Sequence, residues 1–328
     1  MKRRDFIIGL GGMGGAVLWL PAARAQRPAK APLIGFLGAE STSGYKRHVD
    51  AFRAGLHDVG YVEGKNVAIE FRWAEARYNR LPELAEQLVR LKVDVLVAHG
   101  VPGTSAAKRA TTTIPIVMAS AGDAVASRLV DSLARPGGNI TGSTFFVLEL
   151  AGKRLDMLKT AMPRTNEVAV LISPDNPITL PVVQAFELAA QSLRLRLQMF
   201  NVREPKELES VIAEIGRKRV DALVVPEYSM FVAHARTIAR LASAQRLPTI
   251  GFNELAEAGG LLGYGYDAPD LFRRAAVFVD KILKGARPAD LPVERATKIE
   301  WIVNRTTAQA LGVTISQAGL VRADRLIE

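Results

Sequence analysis

An α/β fold of two similar lobes, each a parallel sheet flanked by helices, is what the sequence predicts, and three observations predict it. Short β-branched or apolar runs alternate with stretches of helical spacing along the whole chain after about residue 32, the pattern of parallel strands joined by crossover helices. One βαβ plan recurs. Arg90-Leu91-Lys92-Val93-Asp94-Val95-Leu96-Val97 is echoed by Arg217-Lys218-Arg219-Val220-Asp221-Ala222-Leu223-Val224. Each copy is followed by a loop, a helix and a strand that starts at proline, Ile114-Pro115-Ile116 and Leu247-Pro248-Thr249. The length of 328 residues leaves room for two ordinary cores.

The first 25 residues are set apart. Met1-Lys2-Arg3-Arg4-Asp5-Phe6 is followed by a glycine-rich apolar run, Ile7 to Leu20, then Pro21 and Ala23-Arg24-Ala25. A charged start, a short apolar middle and a small-x-small site are the order of an export signal. Adjacent arginines before an aromatic residue point to the twin-arginine route, with cleavage expected after Ala25. The 14-residue run is too short to span roughly 30 Å of hydrocarbon. Gly9-Leu10-Gly11-Gly12-Met13-Gly14 matches a dinucleotide-binding pattern. It lacks a strand before it, a long helix after it and an acidic residue about 20 positions on. No cofactor is expected. Residues 26–32 read as a linker.

Expected strands are Leu33–Leu37, Val67–Trp73, Val93–Ala98, Ile114–Met118, Glu167–Ile172, Arg196–Val202, Val220–Val225, Thr249–Phe252 and Leu261–Tyr264. Expected helices are Lys46–Val59, Leu81–Leu91, Thr104–Ala110, Leu150–Ala161, Pro181–Leu193, Glu204–Arg217, Phe231–Ala244 and Asp270–Leu283. Without residues 1–25 the chain has 39 basic and 32 acidic residues, a net charge of +7. The charge is spread with no run of five cations, so nucleic acid is not an expected partner. There is no cysteine, which removes disulfides, thiol catalysis and zinc–thiolate sites. Four histidines, none at metal spacing, give no metal site. No G-x-S-x-G elbow, H-E-x-x-H motif or clear triad supports an enzyme.

Ligands of open parallel sheets sit beyond the carboxyl ends of strands. Asp123, just past one strand end, either contacts a ligand or caps a helix over 124–133. Ser120 and Ser143 either donate to a ligand or turn the chain. Gly100, Val101 and Pro102 form a loop whose N–H groups, ahead of a helix from Thr104, suit an anion. His99 is read as packed or on the surface. Asn176 either meets a ligand or makes an Asx turn. Tyr228, Phe252, Tyr264 and Tyr266 are the aromatic candidates, with core packing the alternative for Phe252. Glu227, Asn253, Glu254 and Asp267 are the polar candidates of the second half.

Several blocks in order, from about Pro32 to the end, carry a resemblance. They are Gly60-Tyr61-Val62-Glu63-Gly64-Lys65-Asn66-Val67, Thr113-Ile114-Pro115-Ile116-Val117, and Ser132-Leu133-Ala134-Arg135-Pro136-Gly137-Gly138-Asn139 with Thr141-Gly142. Further blocks are Glu257-Ala258-Gly259-Gly260-Leu261, Ile282-Leu283-Lys284-Gly285 with Pro288-Ala289-Asp290-Leu291-Pro292, and Ala308-Gln309-Ala310-Leu311-Gly312. The chain resembles the periplasmic substrate-binding proteins of ABC importers, of the tryptophan/tyrosine transport type. The resemblance implies a type I periplasmic-binding fold with three hinge crossovers, near Gly142–Thr144, Pro248–Gly251 and Ala296–Glu300. Lobe 1 is then 33–142 plus 251–296, and lobe 2 is 143–250 plus 297–328. It implies a monomer in the periplasm that holds a small organic molecule between lobes and delivers it to a membrane permease with its ATPase. Ser41 and Ser43 resemble the opening ligand loop of that family. The chain departs from the family at Asp123-Ala124, where Asp-Pro is common, and at Pro226-Glu227-Tyr228-Ser229, where Pro-Thr-Asp-Asn is common. These departures leave the ligand open between an aromatic amino acid and a related compound. A receptor-coupled sensor is the alternative to transport. A sugar-repressor-like regulator would need a basic helix-turn-helix that residues 1–32 cannot supply.

Overall fold

The computed structural model describes residues 31–328. The expected export signal at 1–25 and the linker up to residue 30 lie outside the described residues. The chain opens with β1 (Leu33–Gly38), α1 (Lys46–Asp58), β2 (Ala68–Trp73), α2 (Leu81–Arg90), β3 (Val95–His99), α3 (Gly100–Ala110), β4 (Ile116–Gly122) and β5 (Ile140–Phe145). It crosses to a second lobe of α4 (Val147–Ala161), β6 (Glu167–Ile172), α5 (Thr179–Leu193), β7 (Arg196–Asn201), α6 (Leu208–Arg217), β8 (Ala222–Val224), α7 (Ser229–Ala233), α8 (Ala235–Ala244), β9 (Thr249–Gly251), α9 (Asn253–Glu257) and β10 (Leu262–Tyr266). It returns for α10 (Ala268–Leu283) and β11 (Glu294–Arg295). A last crossing gives β12 (Ile299–Asn304), α11 (Arg305–Leu311), α12 (Gln317–Val321) and β13 (Arg325–Ile327).

The first sheet runs β11-β5-β4-β3-β1-β2 and the second β13-β12-β10-β9-β8-β6-β7. All pairings between named strands are parallel except β10 with β12. The continuous apolar runs of β1, β3 and β4 follow from burial on both faces. Val95 and Val97 of β3 pack with Phe36, Phe52 and Phe272 on the α1/α10 side. Their neighbours Leu96 and Ala98 pack with Leu84, Leu88 and Met118 on the α2 side, as the two-residue pleat requires. In α1, Val49, Phe52 and Leu56 recur at helical spacing and are buried. Asp267 caps α10, accepting from Asp270 N at 3.2 Å, with Pro269 in the first turn.

Three departures from the sequence reading matter for the site. No strand is expected over 140–145, and the first crossover is expected near Gly142–Thr144, yet Ile140–Phe145 is the fully buried strand β5 of the first sheet, so the chain crosses after Phe145. Gly142 is required there: its φ is 125°, and a Cβ would lie 2.3 Å from Met118 O on β4. The second crossover is not at Pro248–Gly251. Leu262 and Gly263 of β10 pair with β9, and all of β10 pairs with β12. Residues 251–266 are therefore in lobe 2, and the chain crosses between Tyr266 and Ala268. Pro248 misleads because its ring suggests a break, whereas its carbonyl accepts from Leu223 N at 2.8 Å and starts β9. Third, α3 begins at Gly100 rather than Thr104, so the expected loop 100–102 is the first turn of a helix. Strands β11, β12 and β13 and helices α9, α11 and α12 are short, two to seven residues, and carry too little periodicity to be read in advance.

Candidate functional site

The carboxyl ends of both sheets meet around one cavity. From lobe 1 it is walled by Tyr45 and His48, by His99 to Pro102 where β3 passes into α3, by Ser120 and Gly122 of β4, and by Phe272 of α10. Lobe 2 contributes Asn176, Ile178, Glu227, Tyr228, Ser229 and Val232, and the crossing strands add Phe145, Val147, Tyr266 and Ala268. The lobes are drawn together so closely that the cavity volume is about 30 Å³. That is room for roughly two waters, so a larger guest enters only as the lobes part.

Contacts across the gap are direct. Tyr45 Oη donates to Ser229 O at 3.4 Å. Ser120 Oγ and Tyr266 Oη lie 3.1 Å apart. Gly100 has φ 70°, and a Cβ there would come within 2.8 Å of Ser229 Oγ, so glycine lets the two lobes approach at this point. On the lobe 1 side the rings form a cluster. Tyr45 lies 4.6 Å from His48 and 4.3 Å from His99 between centroids, and Phe272 lies 4.9 Å and 5.2 Å from the same two imidazoles. On the crossing strands, the rings of Phe145 and Tyr266 are 4.3 Å apart.

A charged pair is buried beneath the lobe 2 wall. Arg154 of α4 is fully buried; its Nη2 lies 2.7 Å from Glu227 Oε2, and its Nε donates to Tyr264 O at 2.9 Å. Burial pushes the Glu227 carboxyl up to about 7, with Arg154 pulling the other way. Burial, aided by His48, pushes the His99 imidazole down to about 3, so it is neutral. Burial raises the Tyr228 phenol to about 12, with Thr179 pulling the other way. Among the described residues no group of three His, Cys, Asp or Glu side chains is arranged to hold a metal.

Of the residues singled out from sequence, Gly100, Val101, Pro102, Ser120, Asn176, Glu227, Tyr228 and Tyr266 lie on this wall. Asn176 also makes the Asx turn, Oδ1 accepting from Ile178 N at 3.2 Å. The others do not reach it. Ser41 Oγ accepts from Gly44 N at 3.1 Å and lies 3.2 Å from Ser43 Oγ, so this pair shapes the turn into α1. Asp123 is held away by its own bond: Oδ2 accepts from Leu148 N at 3.0 Å, fastening the start of α4, and no helix forms over 124–133. Ser143 is enclosed in β5, whose position is paired to Glu294 of β11. Asn253 Nδ2 donates to Tyr266 O at 3.4 Å. The Tyr264 ring faces Trp301 at 6.4 Å between centroids, and Asp267 is the cap of α10.

The sequence reading missed Tyr45, His48, Ser229, Phe145 and Phe272, and it left His99 as a packed or surface residue. Phe272 and His48 sit on amphipathic helices and are indistinguishable there from core residues. Arg154 did leave a signal: a cation on the apolar stripe formed by Leu150, Ala151, Leu155 and Leu158, where an unpaired charge is excluded.

Comparison with known proteins gives consistent matches. A family model described as ABC transporter substrate binding protein matches residues 39–327. A tyrosine-binding protein of Clostridioides difficile (strain R20291) is 28% identical over 261 residues, 79% of this chain and 75% of that protein. Among solved structures, an ABC domain from Streptococcus pneumoniae in complex with L-Trp is 26% identical, with a TM-score of 0.82 over 91% of this chain and 100% of that one. The ligand-free, open structure of a substrate-binding protein with adhesive properties from Clostridium difficile, 24% identical, superposes with a TM-score of 0.62 over 90% and 99%; at that identity it speaks to the fold alone.

Proposed function

Since this chain belongs to the ABC transporter substrate-binding protein family, we propose that it is the exported, non-catalytic receptor of an importer, closing two lobes on a small organic molecule and passing it to a membrane permease with its ATPase. The observation that carries this reading is the cavity itself. It lies where the strand ends of both sheets face each other, and both lobes supply its wall. A guest held there touches both lobes only when they are together, so it stabilises the closed state over the open one. The three crossings between lobes are the places that bend.

The wall residues are assigned to the guest: Gly100, Val101, Ser120, Asn176, Glu227 and Tyr228, joined by Tyr45, His48, His99 and Phe272. Rings on both lobes suit a flat or apolar body. The tyrosine-binding relative and the tryptophan complex support a guest of that size. Export rests on the signal pattern of residues 1–25; among the described residues no helix is long and apolar enough to cross a membrane. The receptor acts as a monomer.

The test is a thermal-shift screen of protein purified from the periplasm against amino acids, aromatic acids, sugars and other small organic acids. A guest at 100 times its Kd adds about 2.7 kcal/mol of stability. Recovery of that guest unchanged supports a receptor. Turnover of the guest, or no shift from any class, overturns the assignment.

A further inference from the structure

This inference rests on reading the cleft as a solute site and narrows what it takes. We propose that the guest is an organic carboxylate without an ammonium group, its acid end held at the start of α3 by the N–H groups of Gly100 and Val101 and by the imidazoles of His48 and His99.

The charges of the wall argue for this. An α-amino acid brings a cation that, once out of water, needs a carboxylate of its own. Among the described wall residues the one carboxylate is Glu227. It is already matched by Arg154 at 2.7 Å, so an ammonium beside it would face a buried guanidinium. Outside the wall, Asp123 is engaged by Leu148 N at 3.0 Å, and Glu254 Oε1 faces His48 Nε2 at 3.6 Å.

The opposite charge is provided for. Helix α3, 11 residues long, starts at the cavity with Gly100 and Val101 on the wall. A helix start offers unpaired N–H groups and the positive end of the dipole to an anion. Independent of the helix, two imidazoles on the same wall are incomplete. His48 and His99 are 4% and 6% exposed, and Nδ1 of each has no hydrogen-bond partner, while Nε2 of His48 faces Glu254. Buried polar atoms of this kind are ordinarily paired. A carboxylate at the start of α3 would accept from an imidazole N–H as well as from the backbone. The rings of Tyr45 and Phe272, packed against both imidazoles, give the carbon body an apolar neighbour once the lobes part to admit it.

The experiment is calorimetric titration of the dialysed periplasmic protein with matched pairs: 3-phenylpropanoate and L-phenylalanine, 3-(4-hydroxyphenyl)propanoate and L-tyrosine, indole-3-propanoate and L-tryptophan, 4-methylpentanoate and L-leucine. In each pair that binds, the acid lacking the ammonium is expected to bind at least tenfold tighter, and the primary amide of that acid at least tenfold weaker. An amino acid that binds as tightly as its partner overturns the proposal, as does an amide equal to its acid. Silence from every pair overturns it too, while the two-lobed receptor reading stands if the wider screen returns a sugar or another class. His99→Phe keeps a ring at that place and is expected to weaken the acid at least tenfold with its melting temperature retained. His48→Phe is the second variant should the first fail to fold. Full affinity in the folded variant removes the imidazole from the assignment.

Discussion

Arg47 of α1 and Glu257 of α9 join the two lobes, with Nη1 and Oε2 2.6 Å apart at the rim of the cleft. Glu257 is also held from its own lobe by Arg325 at 2.6 Å. The carboxylate is thus fixed on lobe 2, and Arg47 reaches it from lobe 1. The pair is partly exposed, with side-chain exposures of 61% and 25%, so its contribution is about 0.2–1 kcal/mol.

Arg47→Met is therefore expected to weaken binding of a discovered solute by a factor of roughly 1.5 to 5. The change should fall in the dissociation rate, since contacts with the guest are untouched. Salt near 1 M, where the Debye length is about 3 Å, should erase the difference. Stopped-flow dissociation at low and high salt measures this. An unchanged off-rate, or one altered equally at both salts, rejects the latch.

The Arg154–Glu227 pair predicts a non-additive series. Arg154→Met leaves a buried carboxyl without its cation and should destabilise the protein by about 3–5 kcal/mol. Arg154→Met with Glu227→Leu removes both charges and should recover most of that loss. Urea melts of the two single variants and the double give the coupling. Additive losses would show that the pair does not act as one unit.

Glu40 predicts how stability depends on pH. Its side chain is 1% exposed, Oε1 has no partner, and burial, then Glu75, pushes the carboxyl from 4.5 up to about 8. The folded state thus keeps a proton that the unfolded state releases, so this group lowers stability as pH rises from about 4.5 to about 8 and has no further effect above. Glu227 acts in the same sense up to about 7. Glu40→Gln should remove the decline between pH 7 and 8 and leave a gentler one below. Denaturation midpoints at pH 5, 7 and 8 decide. A variant that declines as steeply as the wild type contradicts the assignment.

Asp123→Ala should reduce stability by about 1 kcal/mol, the usual worth of a side chain that caps a helix start. Solute affinity should stay within twofold, because the carboxylate faces Leu148 N and not the cavity. Paired melting and titration experiments test it. Loss of binding with stability intact would return Asp123 to the site.

Local pattern explains what was readable beforehand. The runs of β1, β6 and β7 and the stripes of α1, α2 and α10 state their class in six to sixteen residues, because burial on one or two faces dictates which positions are apolar. Eight wall residues were also legible, since strand ends are where open parallel sheets receive ligands. Asp123 and Asp267 were not told apart from ligand-contacting acids, because a carboxylate that caps a helix and one that meets a guest have the same sequence signature.

Short-range periodicity and charge alone carried the α/β class, the repeated lobe plan and the neighbourhood of the cleft. The tertiary structure alone decided that β10 joins the second sheet, that Arg154 meets Glu227 from 73 positions away, and that Tyr45, His48 and Phe272 complete the wall. Those outcomes depend on which surfaces meet after the chain crosses between lobes. No local stretch of residues encodes that meeting, because each partner is chosen by shape and charge on an element distant along the chain.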